Sequence, residues 1–353
     1  MRLELLPLVA CPHCGSGLTA SVDRSDVDVV CSDDECQYSR EGFPSVDGKP
    51  ALIDFDASIL SRERVATSAT DQAIETAPGL KERLRGFLMG GNAVAPANCQ
   101  AFIKEIKSLS DRPRVLVIGG GSVGAGMEAL YADPLIDVVG TDIYASENVD
   151  VLADGHRLPF RDGAFHGVVI QAVLEHVLEP HVVAAEIYRV LRPAGIVYAE
   201  TPFMQQVHMA AYDFTRYTPS GHRWLFRRFD EIAAGTVGGP GLSLFWSIRY
   251  FIRSLARSDK IATALSMPFF WLRYLDRFAD PRYASDAANG VYFIGRRSEW
   301  SLRPRQMLAY YTGPQSELAG GQLEPVWPSA TTTRLSDFSG TPVRPTSKAP
   351  LGG

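Results

Sequence analysis

The sequence lacks the features that mark a nucleic-acid-binding or a membrane-spanning protein. Acidic residues outnumber basic ones by 40 to 35, so the formal net charge is −5, whereas nucleic-acid-binding domains are usually basic. No window reaches 18 uninterrupted apolar residues, and the apolar start at Met1–Leu6 is too short for a signal peptide. We therefore expect a cytoplasmic protein whose partner is not a nucleic acid.

Cysteine is also scarce, with five residues in 353. Four of them form two close pairs, Cys11 with Cys14 and Cys31 with Cys36. In a reducing compartment this spacing favours a structural zinc ion held by four thiolates over a disulfide framework. A redox pair or a site that has lost its metal are the alternatives, and Cys99 is left as an isolated thiol.

The segments around the cysteine pairs, Leu5–Pro12 and Glu41–Pro50, resemble the short zinc-ribbon family that includes the activating partner of several methyltransferases. The resemblance covers about 55 residues. It implies a ribbon that stabilises an attached methyltransferase or completes its surface, and it implies no role for the ribbon in catalysis.

From Arg114 onward, predicted strands alternate with predicted helices. This order predicts a doubly wound α/β fold with a mostly parallel sheet. The predicted strands lie at 115–118, 137–140, 168–170, 196–200 and 290–295. The predicted domains are a zinc ribbon at 1–56, a helical linker at 57–111, the α/β domain at 112–300 with an insertion or lid at about 203–285, and a disordered tail at 312–353.

A glycine-rich turn follows the first predicted strand of the α/β domain. Gly119, Gly121 and Gly124 give the pattern G-x-G-x-x-G, and Asp142 ends the next strand. Glycines allow a ligand to approach the backbone closely, and the carboxylate can accept hydrogen bonds from ribose hydroxyls. These features fit a nicotinamide dinucleotide as well as S-adenosylmethionine.

The segments that follow Asp142 distinguish S-adenosylmethionine binding from nicotinamide dinucleotide binding. Ala153–Phe160, Val168–Val177 and Glu186–Gly195 follow in an order that resembles class I S-adenosylmethionine-dependent methyltransferases over about 90 residues. The resemblance implies a seven-stranded Rossmann-like sheet, with Asp154 facing the adenine amino group. It also implies a full set of residues around the methyl donor: Gly119, Gly121, Gly124, Asp142, Asp154 and Gln171.

The chain departs from this family at two positions. Val117 stands where many relatives carry an acidic residue, and His166 stands where many carry an aspartate. These departures support a rival interpretation, a non-catalytic methyltransferase-like scaffold or binding protein. A dehydrogenase and a methyltransferase that modifies RNA or protein are further alternatives.

The acceptor site is expected after the fourth and fifth strands, where Pro202–Pro219 contains His208 and Asp213. The segment resembles one found in bacterial methyltransferases of glycan and natural-product pathways. A hydroxyl acceptor would use His208 or Asp213 as a base, and the alternative is a hydrogen-bonded hinge. We therefore expect a small-molecule or glycan acceptor, with oxygen as the methylated atom.

Residues 245–278 combine aromatic side chains with arginines spaced four apart, at Arg249, Arg253 and Arg257. An interfacial helix has this composition, and so does a lid that packs on the domain. The first interpretation implies peripheral contact with the inner face of a membrane and a lipid-linked acceptor.

Overall fold

The computed structural model describes residues 2–23, 26–67, 92–316 and 333–334. The strands are β1 (Leu18–Asp23), β2 (Asp26–Cys31), β3 (Ser45–Val46), β4 (Lys49–Pro50), β5 (Arg114–Ile118), β6 (Asp137–Asp142), β7 (Val151–Leu152), β8 (Phe165–Gln171), β9 (Leu191–Pro202), β10 (Phe229–Gly238), β11 (Gly290–Arg297), β12 (Trp300–Ser301) and β13 (Thr333–Arg334).

The α-helices are α1 (Arg62–Thr67), α2 (Ala95–Lys107), α3 (Glu128–Ala132), α4 (Pro180–Val190), α5 (Pro219–Leu225), α6 (Pro240–Ala256), α7 (Asp259–Ser266), α8 (Pro281–Ala284) and α9 (Pro304–Tyr310). The 3-10 helices are Leu3–Leu8, Gln37–Ser39, Leu174–His176, Ala210–Tyr212, Met267–Phe278 and Ser285–Ala287.

Seven strands form one sheet in the order β10-β11-β9-β8-β5-β6-β7. β11 is antiparallel to both of its neighbours, and the remaining pairs are parallel. The central strands are continuous apolar runs because helices cover both faces. Phe102 of α2 packs on one face, and Ile187 of α4 packs on the other. The predicted doubly wound, seven-stranded, mostly parallel architecture is confirmed.

The predicted insertion at 203–285 needs correction, because a sheet strand runs through it. β10 pairs antiparallel with β11 from Phe229 to Gly238. The extra chain is therefore divided into a segment before β10 and a helical layer, Pro240–Ala284, between β10 and β11. No helix among the described residues is long and apolar enough to cross a membrane.

The N-terminal ribbon packs against the far edge of the sheet. β1 and β2 form an antiparallel hairpin, and Ala51 makes a parallel bridge to Leu152 of β7. Arg2 forms ion pairs with Asp137 and Asp150 at 2.7 and 3.1 Å. The ribbon core is continuous with the core beneath the sheet, so the ribbon supports β7 and the loop that follows it.

Part of the predicted linker and most of the predicted tail lie outside the described residues. α1 and α2 are helices within 57–111, as expected, and residues 68–91 between them are outside the described part of the chain. Of the tail predicted to be disordered, only 312–316 and 333–334 are described, and Thr333–Arg334 pairs with β12.

Candidate active site

A cavity of about 600 Å³ opens at the carboxyl ends of β5, β6, β8 and β9. Ligands of doubly wound sheets bind at this edge, where the helices diverge. Its lining includes Gly119, Gly124 and Asp142, and also His176 and Tyr212. The structure therefore brings the predicted donor residues and part of the predicted acceptor region to a single site.

The glycine turn has no room for side chains. Gly119 has a left-handed φ of +78°, and a Cβ there would collide with Val173. A Cβ on Gly121 would lie 2.8 Å from a carboxylate oxygen of Asp142, and one on Gly124 would collide with Gln171. The turn is thus packed directly against two other predicted donor residues, and only glycine fits.

Asp142 lies at the end of β6, and the backbone fixes its carboxylate. Its two oxygens accept hydrogen bonds from Gly121 N at 2.8 Å and from Ile143 N at 2.7 Å. Burial raises the pKa of Asp142, although these N–H groups act in the opposite direction. The carboxylate is therefore held rigidly on the cavity wall beside the glycine turn.

Asp154 follows β7 and is fixed by contacts from the ribbon side. Burial alone would raise its pKa, but hydrogen bonds from His156 and Ser58 hold the pKa below its usual value. His156 N donates to it at 2.9 Å, and Ser58 Oγ contacts its other oxygen. Because Ile59 also lines the cavity, the chain just after the ribbon builds part of this wall.

Gln171 ends β8 and connects the glycine turn to the end of β9. Its side-chain amide donates to Ala125 O at 3.1 Å and to Glu200 Oε2 at 2.7 Å. Glu200 also accepts from Asn92 at 2.6 Å, and its side chain is buried against the cavity. Val117, where many relatives carry an acidic residue, lines the same cavity, so Glu200 gives this wall a carboxylate that Val117 does not provide.

The two departures from the family pattern thus have local explanations. His166 Nδ1 accepts a hydrogen bond from Arg114 N at 3.0 Å and so satisfies the first backbone N–H of β5. Burial and the guanidinium groups of Arg192 and Arg114 lower the pKa of His166, which keeps it neutral as an acceptor. His166 therefore has a structural contact and does not line the cavity.

The charged side chains of the cavity wall are acidic. Three carboxylates line it, those of Asp142, Asp154 and Glu200, and no lysine or arginine does so among the residues whose placement is described. A cationic ligand fits such a wall better than a pyrophosphate does, because unpaired like charges repel. The wall therefore favours a sulfonium donor over a nicotinamide dinucleotide.

Three ligand-type side chains meet beside the cavity, those of Glu175, His176 and His208, and of these only His176 lines it. Glu175 Oε1 lies 3.6 Å from His176 Nε2 and 3.7 Å from His208 Nε2. Glu175 is fully buried, and burial raises its pKa to about 7. Glu175 lies within the predicted motif Val168–Val177, but the sequence indicates no role for it because its partner His208 comes from a distant loop.

Asp213 is held by Arg216 and in turn faces His208. Its carboxylate forms a two-point ion pair with Arg216, which holds the pKa of Asp213 well below its usual range. One of its oxygens accepts from His208 N at 2.8 Å and lies 3.4 Å from His208 Nδ1. This arrangement orients the imidazole of His208.

The four predicted zinc ligands come together in the ribbon. Their sulfur atoms all lie within 4.8 Å of one another. The separation is 3.8 Å for Cys11 with Cys36 and 3.4 Å for Cys14 with Cys31. Tetrahedral zinc with Zn–S bonds of about 2.3 Å requires sulfur–sulfur separations of roughly 3.8 Å, so the thiols fit this ion. His13 turns away and faces Asp54.

The strand order, the single antiparallel strand, the glycine turn after β5 and the carboxylate after β6 define a Rossmann-like methyltransferase fold. Residues 116–199 match the family described as methyltransferase domain. This match and the fold identify the segment as a methyltransferase domain. No curated protein sequence matches it.

Solved structures share the fold at low identity. Phosphoethanolamine N-methyltransferase 2 of Haemonchus contortus is 17% identical, with 66% of this chain and 58% of that chain covered and a TM-score of 0.41. A SAM-dependent methyltransferase of Archaeoglobus fulgidus is 14% identical, with 62% and 100% covered and a TM-score of 0.38. The [4+2]-cyclase SpnF is 17% identical, with 57% and 81% covered and a TM-score of 0.35.

Proposed function

We propose that the protein methylates a hydroxyl group of a small-molecule or glycan acceptor presented at a membrane surface. The main support is the single cavity that runs from the glycine turn and Asp142 to His176 and Tyr212. Its volume of about 600 Å³ lies in the range of sites for small ligands. A donor at one end would thus meet an acceptor at the other.

The donor end has a residue for each part of S-adenosylmethionine. Asp142 would accept hydrogen bonds from the ribose hydroxyls, and Asp154 would face the adenine. Gln171 and Glu200, beside Gly124, would hold the amino-acid part, with Glu200 substituting for the carboxylate missing at Val117. When bound, the donor supplies an electrophilic methyl group on a positively charged sulfur.

The acceptor hydroxyl would bind beside His208 and His176. As the oxygen–methyl bond forms, the sulfur–methyl bond breaks and leaves its electron pair on sulfur, which yields S-adenosylhomocysteine. The hydroxyl proton must leave in the same step, and His208, oriented by Asp213 and adjacent to His176 of the cavity wall, would accept it. The bond changes are then balanced without any redox partner.

The test is transfer of an isotopically labelled methyl group to a panel of sugars, glycolipids and phenols. We expect label in one hydroxyl class, with one S-adenosylhomocysteine formed per methylation. His208→Gln should lower kcat by about a hundredfold or more without weakening S-adenosylhomocysteine binding, and His181→Gln, at an exposed histidine, is the control. A protein that binds no donor would support the scaffold alternative, and labelled RNA or protein would overturn the small acceptor.

The helical layer Pro240–Ala284 supports the membrane part of the proposal. Phe251, Leu255 and Phe278 are 65%, 70% and 71% exposed. Seven basic residues stand against three acidic ones in this layer, a formal net charge of +4 in a chain whose net charge is −5. Exposed apolar side chains among cations suit a surface of anionic lipid.

This layer also contacts the acceptor segment. Tyr250 donates a hydrogen bond to Val207 O at 3.1 Å, and Gln206 donates to Ser247 at 3.0 Å. Docking of the layer on a bilayer would therefore bring the acceptor end of the cavity near the lipid headgroups. A lipid-linked acceptor fits this arrangement.

Flotation with vesicles tests the membrane contact. We expect binding to vesicles that contain phosphatidylglycerol, and weaker binding to vesicles of phosphatidylcholine alone. The double variant Leu255→Asp, Phe278→Asp should lose most of this binding because it places charge on the apolar surface. Leu308→Asp changes a residue that is 60% exposed outside the layer and is the control. Equal binding by the double variant and the control would contradict the proposal.

A further inference from the structure

Glu175, His176 and His208 form a compact group beside the cavity, which His176 lines. One atom from each side chain, a carboxylate oxygen or an imidazole nitrogen, lies within 4.8 Å of the others. Two of the residues follow β8, and the third comes from the loop after β9. The group is separate from the four thiols of the ribbon and from the residues assigned to the donor.

Glu175 has no hydrogen-bond partner for its side chain. It is 0% exposed, and neither of its carboxylate oxygens accepts a hydrogen bond from the described residues. An unpaired buried carboxylate is costly, and most buried polar atoms in proteins are paired. Both oxygens therefore require a partner that is not part of the chain, either a cation or a proton.

Both imidazoles are oriented toward this carboxylate by acceptors on their far side. His176 Nδ1 donates to Tyr212 O at 2.7 Å, which leaves Nε2 as the free acceptor atom. His208 Nδ1 lies 3.3 Å from Gln206 O and 3.4 Å from Asp213. Metal-binding histidines commonly make such a contact through the second nitrogen, since it fixes the tautomer.

We infer that Glu175, His176 and His208 bind one divalent transition-metal ion, which leaves coordination positions open for an acceptor oxygen. Two imidazoles and one carboxylate are a familiar donor set for such ions. Metal bonds of about 2.0–2.2 Å to nitrogen and oxygen place neighbouring donors roughly 3 Å apart. The observed separations of 3.6 and 3.7 Å need only a small contraction.

Nearby charges permit a cation at this position. The closest guanidinium, that of Arg216, is already paired with Asp213, so its charge is compensated. The side chain of His208 is 33% exposed and lies in the loop before Ala210–Tyr212, which allows it to adjust. The thiols of the ribbon are a softer donor set than two imidazoles and a carboxylate, so the two sites differ in donor chemistry.

The inference deepens the proposed function and rests on its hydroxyl acceptor. A bound cation would take up the Nε2 lone pair of His208, so this residue would no longer act as the base. The acceptor hydroxyl would instead bind the metal, which lowers its pKa, and its proton would pass to solvent. His208 would then be a ligand, and Asp213 a positioning residue that orients it.

Calorimetric titration of Co²⁺ into zinc-loaded protein, without donor or acceptor, tests the site directly. We expect one equivalent of Co²⁺ to bind beyond the ribbon zinc, with no thiolate charge-transfer absorption. Glu175→Gln and His208→Gln should each weaken binding by at least about tenfold, whereas His181→Gln should not change it. Circular dichroism of each variant checks that the fold is retained.

Two results would overturn the inference. One is the absence of binding beyond the ribbon zinc, and the other is equal binding by wild type and the Glu175→Gln and His208→Gln variants. Either result would leave a proton shared between Glu175 and the imidazoles as the partner of the buried carboxylate. Co²⁺ bound at the site in a protein that binds no S-adenosylhomocysteine would instead reject the proposed function and keep the metal site.

Discussion

Replacing Asp142 by alanine is expected to weaken binding of S-adenosylmethionine and S-adenosylhomocysteine by at least about a hundredfold. Hydrogen bonds to a charged group contribute about 1.5–3 kcal/mol each, and a ribose presents two hydroxyls to this carboxylate. The loss of two such bonds corresponds to a change in Kd of about a hundredfold or more. The variant also removes the acceptor of Gly121 N and Ile143 N, which loosens the glycine turn.

Calorimetric titration of purified, zinc-loaded protein with each ligand measures this effect. Glu147→Gln is a matched control, because it removes an exposed carboxylate five residues away that does not line the cavity. Asp142→Asn keeps the size of the side chain and should fall between wild type and Asp142→Ala. Unchanged affinity in Asp142→Ala would show that the carboxylate does not hold the donor.

The parts of the fold that the sequence predicted correctly are those whose patterns are local. Strands at the centre of the sheet are buried on both faces, so β5, β8 and β9 each contain a short apolar run. β10 escaped prediction because it lies at the sheet edge, where Phe229 is its one buried residue. Its pairing with β11 also shifts register twice, so no regular alternation marks it.

The same distinction applies to the cavity. The glycine turn and Asp142 were predictable because strand, turn and helix follow each other directly in the chain. Glu200 and Ser58 were assigned no donor contact, because Glu200 reaches the cavity through the strand order and Ser58 reaches Asp154 through docking of the ribbon. Asp154 combines a local pattern with a distant contact. Its motif was predicted from the sequence, but its partner Ser58, 96 residues away, was not.

Removing zinc from the ribbon is expected to abolish its fold and to weaken donor binding. A ribbon of this size has little core of its own, and zinc contributes roughly 10–16 kcal/mol of apparent folding free energy in isolated zinc-finger peptides. Cys11→Ser should therefore lower the zinc content from one equivalent per chain and lower Tm. Cys99→Ala, at a buried thiol in α2 away from the cluster, should keep full zinc content.

Loss of zinc should also weaken donor binding, because the ribbon and the chain just after it support one wall of the cavity. Ser58 contacts Asp154, and Ile59 and Leu60 line the cavity, while Ala51 bridges to β7. Loss of one hydrogen bond and part of this apolar wall corresponds to a weakening of S-adenosylhomocysteine binding of about tenfold. Cys11→Ser and chelator-treated wild type should be compared with untreated wild type. Elemental analysis measures the zinc content, a thermal melt measures Tm, and calorimetric titration measures the affinity for S-adenosylhomocysteine. Full donor affinity in zinc-free protein would show that the ribbon does not support the donor site. Wild-type protein that contains no zinc and still has its full Tm would refute the four-thiolate zinc site.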